Sequence, residues 1–295
     1  MGKRDILESL GDFSNKEGWD KFFAGRQLDN PYEWYVEWPE LCDLLLSHLS
    51  ASSASQILIP GCGVSRLSEH LYDVGFQSIT NIDFAKVAIS NMSRRNTRQR
   101  PYMRWRVMDM TSMQFLDESF DAIIDKGGLD ALVEAEDGAM LANQYLSEMK
   151  RVTKSGGKFI CFTFAEPHVL GLLFSELRRG WKTSIEAVAE NSAKKAIYPS
   201  FMVVAEKSDD STSCHPLMAS LALSSFHFNA TQATEFHEAV EKENKIREEY
   251  SKGNYAISHS LEGVQFGDKR EPKNLHKHAW IKHILGARML EEAIA

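Results

Sequence analysis

Ile57-Leu58-Ile59-Pro60-Gly61-Cys62-Gly63-Val64-Ser65-Arg66 is the stretch on which the fold turns. Gln56–Pro60 reads as a short buried strand, and Gly-x-Gly closes it. Behind the glycines, Leu67, Leu71 and Val74 recur at helical spacing until Gly75 stops the helix. A strand that ends in glycine and leads into a helix lets backbone approach a ligand closely, because no Cβ intervenes. Outward from this unit, apolar runs at Ser78–Asp83, Met103–Asp109, Phe120–Asp125 and Lys158–Phe164 alternate with helical stretches at Lys86–Arg95 and Gly138–Thr153. Trp181–Val188 and Ser200–Glu206 read as a closing strand pair, separated by the polar stretch Glu190–Lys195. The alternation is that of an α/β protein with a parallel, doubly wound sheet covered by helices.

The positions after the loop narrow the ligand. A dinucleotide fingerprint wants a third glycine where this chain has Arg66, and the Walker pattern Gly-Lys-Ser/Thr is absent. A nucleoside without phosphates fits better. Asp83, Asp109 and Asp125 end the second, third and fourth strands, and ligands of open α/β sheets bind outside those carboxyl ends. Asp83 is placed to accept from ribose hydroxyls. Asp109, between Met108 and Met110, is placed to accept from an adenine amine while the methionines pack on the ring. A cationic ligand with hydroxyl and amine donors suits such a set, and S-adenosylmethionine is that ligand. Each aspartate taken singly also reads as a helix cap or turn residue. Cys62 reads as a small filler, and Lys126 as ion-paired or solvated.

Composition agrees with a folded, water-soluble protein: 295 residues, 43% apolar and 25% charged, with a net charge of −7. The apolar run Leu41–Leu49 is broken by Asp43, Ser47 and His48, so no membrane helix is expected. Asp5 and Glu8 speak against a secretory signal, and Ile6 against myristoylation. Cys42, Cys62, Cys161 and Cys214 are far apart, which suits reduced thiols in a cytoplasmic setting and neither a disulfide frame nor a zinc site. His276, His278 and His283 lack metal spacing, so no metal is expected. The arginines at 94, 95, 98, 100, 104 and 106 read as a solvated helix end or a contact for an acidic partner, and nucleic acid is not the expected partner.

Three domains are expected. Residues 1–50 form an aromatic, helical cap bearing Trp19, Phe22, Phe23, Tyr32, Trp34, Tyr35 and Trp38; 51–207 form the ligand-binding domain; 208–295 form a helical extension. Helices are expected in the extension at Thr231–Tyr250, with Phe236 and Val240 one turn apart, and at Leu275–Ala293.

The order of glycine loop, Asp83, Asp109, Phe120–Asp125 and Arg151–Lys158 resembles the class I, seven-strand S-adenosylmethionine-dependent methyltransferases. Glu33-Trp34-Tyr35, Leu71-Tyr72-Asp73-Val74-Gly75, Asn81-Ile82-Asp83, Met108-Asp109-Met110-Thr111 and Asp125-Lys126-Gly127-x-Leu129-Asp130-Ala131-Leu132 resemble, more narrowly, the N-terminal half of the elongation factor 1-alpha lysine and N-terminus methyltransferases. The resemblance spans residues 13–207. It implies a Rossmann-like sheet in the order 3-2-1-4-5-7-6 with the last strand antiparallel, and methyl transfer to a protein lysine, with a translation elongation factor, elongation factor 1-alpha, as the expected partner. Ile59 and Pro60 depart from the acidic residue that many relatives carry before the first glycine. The chain is too short for the second methyltransferase domain of the longer relatives, so their N-terminal methylation is not expected of it.

Trp34, Gly61, Cys62, Gly63, Asp83, Phe84, Asp109, Met110 and Asp125 are the expected cofactor residues; Asp125, Glu33 and Tyr35 are the catalytic candidates. Methyl transfer needs a neutral amine, and freeing a lysine from its usual pKa at pH 7 costs about 4.6 kcal/mol. Trp34 and Tyr35 would form an aromatic wall that lowers this cost, or else a hydrophobic cap over the sheet. Glu33 or Asp125 would orient the amine, and Asp125 alternatively supports the methionine moiety. His168 could reach the substrate channel, or be structural. Asp125-Lys126-Gly127-Gly128 stands where amino-methyltransferases of adenine or glutamine carry Asn/Asp-Pro-Pro-aromatic, so a planar NH₂ acceptor is not expected. Nor is cytosine C5, since the chain lacks Pro-Cys. The alternatives are a small-molecule N- or S-methyltransferase, favoured by a closed aromatic pocket where an open acidic groove would favour protein, and a catalytically inactive cofactor-binding scaffold.

Overall fold

The computed structural model describes residues 14–25, 33–49, 52, 54–188, 200–220 and 230–252. Tyr32, the polar stretch 190–195, the expected helix 275–293 and His276, His278 and His283 lie outside the described residues.

The described elements are α1 (Lys16–Ala24), α2 (Trp38–His48), β1 (Ile57–Pro60), α3 (Leu67–Asp73), β2 (Ile79–Asp83), α4 (Lys86–Asn96), β3 (Arg104–Val107), β4 (Phe120–Lys126), α5 (Gly128–Val133), α6 (Gly138–Val152), β5 (Thr153–Thr163), α7 (Pro167–Glu176), β6 (Trp181–Val188), β7 (Ser200–Lys207), β8 (Met218–Ser220) and α8 (Ala230–Ser251). One sheet runs β3-β2-β1-β4-β5-β7-β6-β8. The first seven strands take the expected order, with β7 antiparallel to both β5 and β6. β8 adds an eighth strand, parallel to β6.

The central strands read as continuous apolar runs because both faces are covered. Phe159, Ile160, Cys161 and Phe162 of β5 are all fully buried. On one face, Leu58, Ile123, Phe159 and Val203 pack against Tyr145, Leu146 and Met149 of α6 and Leu173 of α7. On the other, Ile57, Ile124, Phe162 and Val204 meet Leu41 and Leu45 of α2 and Leu71 of α3. Ser155-Gly156-Gly157, whose residue types favour a turn, lies inside β5. The sheet register slips there between Phe120↔Thr153 and Ala122↔Lys158, and Gly156 takes φ +73°. Val74, expected on the buried face of α3, is 49% exposed because the helix closes before it, with Gly75 at φ +115°.

α8 seats Phe236 and Val240 in the core beside Phe201, whose ring stacks on Phe236 with centroids 5.2 Å apart. A buried ion triad fastens the helix. Glu243 receives both fork nitrogens of Arg178 at 2.9 and 2.8 Å and Nε of Arg247 at 2.8 Å. Paired charges of this kind tolerate burial only as a complete set.

Candidate active site

Gly61 and Gly63 adopt φ +56° and +50°, a conformation that side chains with a Cβ avoid. Their turn brings the end of β1 over Gly128 and Met110, so that a Cβ at Gly61 would already touch both, at 3.5 and 3.6 Å. Asp83, at the end of β2 and 5% exposed, holds the turn: Oδ2 accepts from Gly63 N–H and Oδ1 from Ala85 N–H, each at 2.8 Å. A carboxylate has about four lone-pair sites, so two remain for ligand hydroxyls.

The turn floors a cleft of about 1210 Å³, counted to its open mouth. Trp34, Gly61, Cys62, Gly63, Asp83, Phe84, Asp109 and Met110 all line it, as does Tyr35. Asp109 lies two residues beyond β3, and its Oδ1 accepts from the Thr111 amide and hydroxyl at 2.8 and 2.7 Å. Trp19 and Phe23 of α1 also line the cleft; the Phe23 ring lies against Gly63, and Trp19 stacks on Phe23 at 5.6 Å. Those two belonged to the aromatic segment, but nothing in their spacing tied them to the glycine turn.

Asp125 and Glu33 are placed elsewhere. Asp125 is fully buried behind the cleft wall. Its Oδ1 accepts from Gly128 N–H at 2.8 Å, and its Oδ2 from Leu129 N–H at 3.1 Å and Tyr145 O–H at 2.7 Å, so it caps α5. Glu33 also stands off the cleft. It accepts from Ser65 O–H and Arg66 N–H at 2.7 and 2.6 Å and pairs with the Lys126 ammonium, which donates to Trp34 O as well at 3.1 Å. Glu33 thereby ties the Trp34–Tyr35 segment to the start of α3 and the end of β4. Burial pushes its carboxyl up, but Lys126 and the surrounding donors outweigh that and hold it below the usual range. Lys126 lines the cleft as half of an ion pair.

Next to Tyr35, outside the residues that line the cleft, stands an acidic cluster. Tyr35 donates to Asp130 Oδ2 at 2.7 Å, and His168 lies 3.1 Å from Glu134 and 3.6 Å from Glu166. The Glu134 hydrogen bond raises the His168 pKa against burial. Glu134, Glu166 and His168 form a group close enough to share an ion, although two carboxylates and an imidazole at a surface occur commonly without one. Asp130 sits five residues after Asp125, on a short helix that the strand-and-helix alternation did not show.

The arginine run is partly neutralised. Arg95 pairs with Glu69 at 3.0 Å and Arg100 with Asp73 at 2.5 Å. Cys42, Cys62, Cys161 and Cys214 are free thiols, and among the described residues no helix is long and apolar enough to cross a membrane.

The cleft fits S-adenosylmethionine. Asp83 and Asp109 would repel phosphates, and the cationic side chain in the wall, Lys126, is engaged by Glu33, whereas hydroxyl, amine and sulfonium groups are all served by carboxylates among aromatic and thioether surfaces. Burial pushes the Asp83 carboxyl up to about 6, against the pull of the Ala85 and Gly63 amides. Its stabilising contribution is therefore complete below the usual carboxylate pKa and lost as pH rises through about 6. Ligand hydroxyls need the ionised form, so affinity runs the opposite way. Calorimetry with S-adenosylhomocysteine should show constant affinity above pH 7 and roughly tenfold weaker binding at pH 5. A flat profile would remove Asp83 from the binding step.

Comparison with known proteins gives a match to the methyltransferase domain family over residues 58–161. The chain is 36% identical over 200 residues to the eEF1A lysine and N-terminal methyltransferase of Danio rerio, covering 66% of this chain and 28% of that protein. It is 40% identical over 189 residues to the Bos taurus protein of the same name, covering 63% and 27%. It is 33% identical over 171 residues to EEF1A lysine methyltransferase 4 of Bos taurus, covering 55% and 66%. The chain thus spans about a quarter of the longer relatives' length.

Proposed function

Because the chain carries a methyltransferase domain of the seven-strand class I kind, we propose that it transfers a methyl group from S-adenosylmethionine to a protein lysine, with elongation factor 1-alpha as the substrate and the cytoplasm as the setting. The observation that carries the reading is the Gly61–Gly63 turn clamped by Asp83 at the floor of a cleft that, among the described residues, offers carboxylates and no uncommitted cation to its ligand. The names and identities of the relatives support the substrate.

When bound, the cofactor supplies an electrophilic methyl on a sulfonium. The chain's part is to bind, orient and exclude water. Asp83 takes the ribose hydroxyls; Asp109 takes the adenine amine, with Met108 and Met110 on the ring. The backbone of Gly61, Cys62 and Gly63 meets the ligand without a Cβ, and Trp34 and Phe84 close its sides. Glu33 and Asp125 act through structure: one fastens the aromatic segment, the other orients α5. The domain division at residues 51–207, with a cap before it and an extension behind it, belongs to the same proposal.

A small-molecule acceptor would be favoured by aromatic closure at the acceptor end. Here Trp19 and Phe23 crowd the glycine turn, the nucleoside end. Glu134, one helical turn along from the partner of Tyr35, stands with Glu166 beside His168, partly exposed and outside the cleft lining, where the two would draw a cationic lysine.

The test is incubation of purified elongation factor 1-alpha with the protein and labelled S-adenosylmethionine, followed by mass spectrometry of the labelled peptide. Label on a lysine is expected. Absence of label, or label confined to small molecules when a cytosolic extract is the acceptor, would overturn the substrate assignment.

A further inference from the structure

Among the described residues, three without glycine's freedom adopt positive φ: Tyr35 at +65°, Glu118 at +52° and Ala165 at +56°. Two of the three meet at one spot. The Tyr35 ring lies edge-on to Phe164, with centroids 4.3 Å apart, and Ala165 follows directly. Gly127, at φ +89°, completes the spot: a Cβ there would stand 2.7 Å from Tyr35 Cε2 and 3.1 Å from its hydroxyl oxygen. Backbone held in sparsely populated conformations persists only where its surroundings enforce it, and it concentrates at working sites.

The hydrogen bonds show what is being enforced. Tyr35 O–H donates to Asp130 Oδ2 at 2.7 Å. Asp130 is itself fixed from the far side, its Oδ1 accepting from Thr163 O–H at 2.8 Å and its Oδ2 from Phe164 N–H at 3.3 Å. Thr163 Oγ1 in turn accepts from Ala165 N–H at 2.9 Å, which locks the turn after β5 to the same network. The phenol proton is thus committed to a buried carboxylate, and the oxygen of Tyr35, a residue of the cleft lining, is left with lone pairs only for any further partner.

We propose that Tyr35 is the acceptor-side catalytic residue and Asp130 its positioning residue, a pair that selects a nucleophile which can donate an N–H while its own lone pair attacks. The inference rests on the methyl-transfer reading above. An amine satisfies it: one N–H points to Tyr35 Oη, and the nitrogen lone pair is directed away from that bond. A thiolate or carboxylate has no proton to give and would face oxygen lone pairs. The substrate amine enters having left its ammonium proton to solvent. Its lone pair forms the N–CH₃ bond, the C–S bond breaks with its electron pair kept by sulfur, and the product leaves as a methylammonium beside S-adenosylhomocysteine. Burial and the Asp130 charge raise the Tyr35 phenol well above its ordinary value, so the hydroxyl stays protonated throughout. Asp130 therefore acts by aiming the hydroxyl; it takes no proton.

The test uses the 295-residue chain and its Tyr35→Phe, Asp130→Asn and double variants. With purified elongation factor 1-alpha, each single variant should lose at least tenfold in kcat with KM nearly unchanged. The double variant should be no worse than the poorer single, because both changes disable one hydroxyl. S-adenosylhomocysteine affinity by calorimetry should stay within about twofold of the parent for Tyr35→Phe, since the hydroxyl serves the acceptor. A readout apart from turnover uses tyrosine labelled with ¹³C at the ζ carbon. The Tyr35 resonance, identified by its loss in Tyr35→Phe, should move in Asp130→Asn and again when elongation factor 1-alpha joins the S-adenosylhomocysteine complex. Parental kcat in Tyr35→Phe, or single losses that multiply in the double variant, would overturn the pairing while leaving the function intact. A parent protein that methylates no lysine at all would overturn the function and the pairing together.

Discussion

Replacing Asp83 with alanine should weaken S-adenosylhomocysteine binding by about 30-fold or more, read by calorimetry at pH 7.5. Two losses combine. The ligand's ribose loses an ionised acceptor, a hydrogen bond worth about 1.5–3 kcal/mol. The Gly63 amide also loses the oxygen that holds it at 2.8 Å, so the turn no longer arrives preorganised. Each 1.4 kcal/mol is a factor of ten, and the two effects together exceed one decade. Asp83→Asn separates them. The amide oxygen can still accept from Gly63, but the charge is gone, so binding should fall less and lose its dependence on pH around 6. Unchanged affinity in Asp83→Ala would mean that the ligand does not rest on the end of β2.

Asp125 should show the larger effect on stability. Its replacement by alanine leaves the Gly128 and Leu129 amides and the Tyr145 hydroxyl without their acceptor. Tyr145 is fully buried, so water cannot take over at that donor. At about 1–3 kcal/mol for an unsatisfied buried group, a loss of about 3 kcal/mol in unfolding free energy is expected. The Asp125→Asn change should cost much less. Burial pushes this carboxyl up to about 6, against the Tyr145 hydrogen bond and with the Asp130 charge adding to the rise, so keeping it ionised in the interior at neutral pH carries a desolvation cost; a neutral amide keeps an acceptor without that cost. Urea unfolding of the two variants decides the matter. Equal midpoints for Asp125→Ala and the parent would show that α5 does not depend on this cap.

Much of the architecture could be read without coordinates because it rests on periodicity and composition. Phe120–Asp125 and Lys158–Phe164 are too apolar for a strand with a wet face, and that alone puts helices on both sides of the sheet. The extra strand β8 escaped notice for the opposite reason. Its three residues, Met218–Ser220, are exposed and carry no pattern, and only the free edge of β6 makes them a strand.

The chain by itself determined the glycine turn, Asp83 at the end of its strand, Asp109 just beyond the end of the next, and the kind of ligand they suit, since these follow from where the strands stop. What it left undecided was the direction of each carboxylate. Asp125 lies one residue before the end of its strand, where Asp83 is the last of its own, and the glycine turn after it starts a helix at once, whose backbone amides draw the side chain inward. Glu33 and Lys126 lie 93 residues apart and neutralise one another only after the N-terminal segment crosses the sheet. Tyr35 and Asp130 likewise meet across 95 residues. Hydrogen bonds between residues so far apart are set by packing, and packing is a property of the assembled layers.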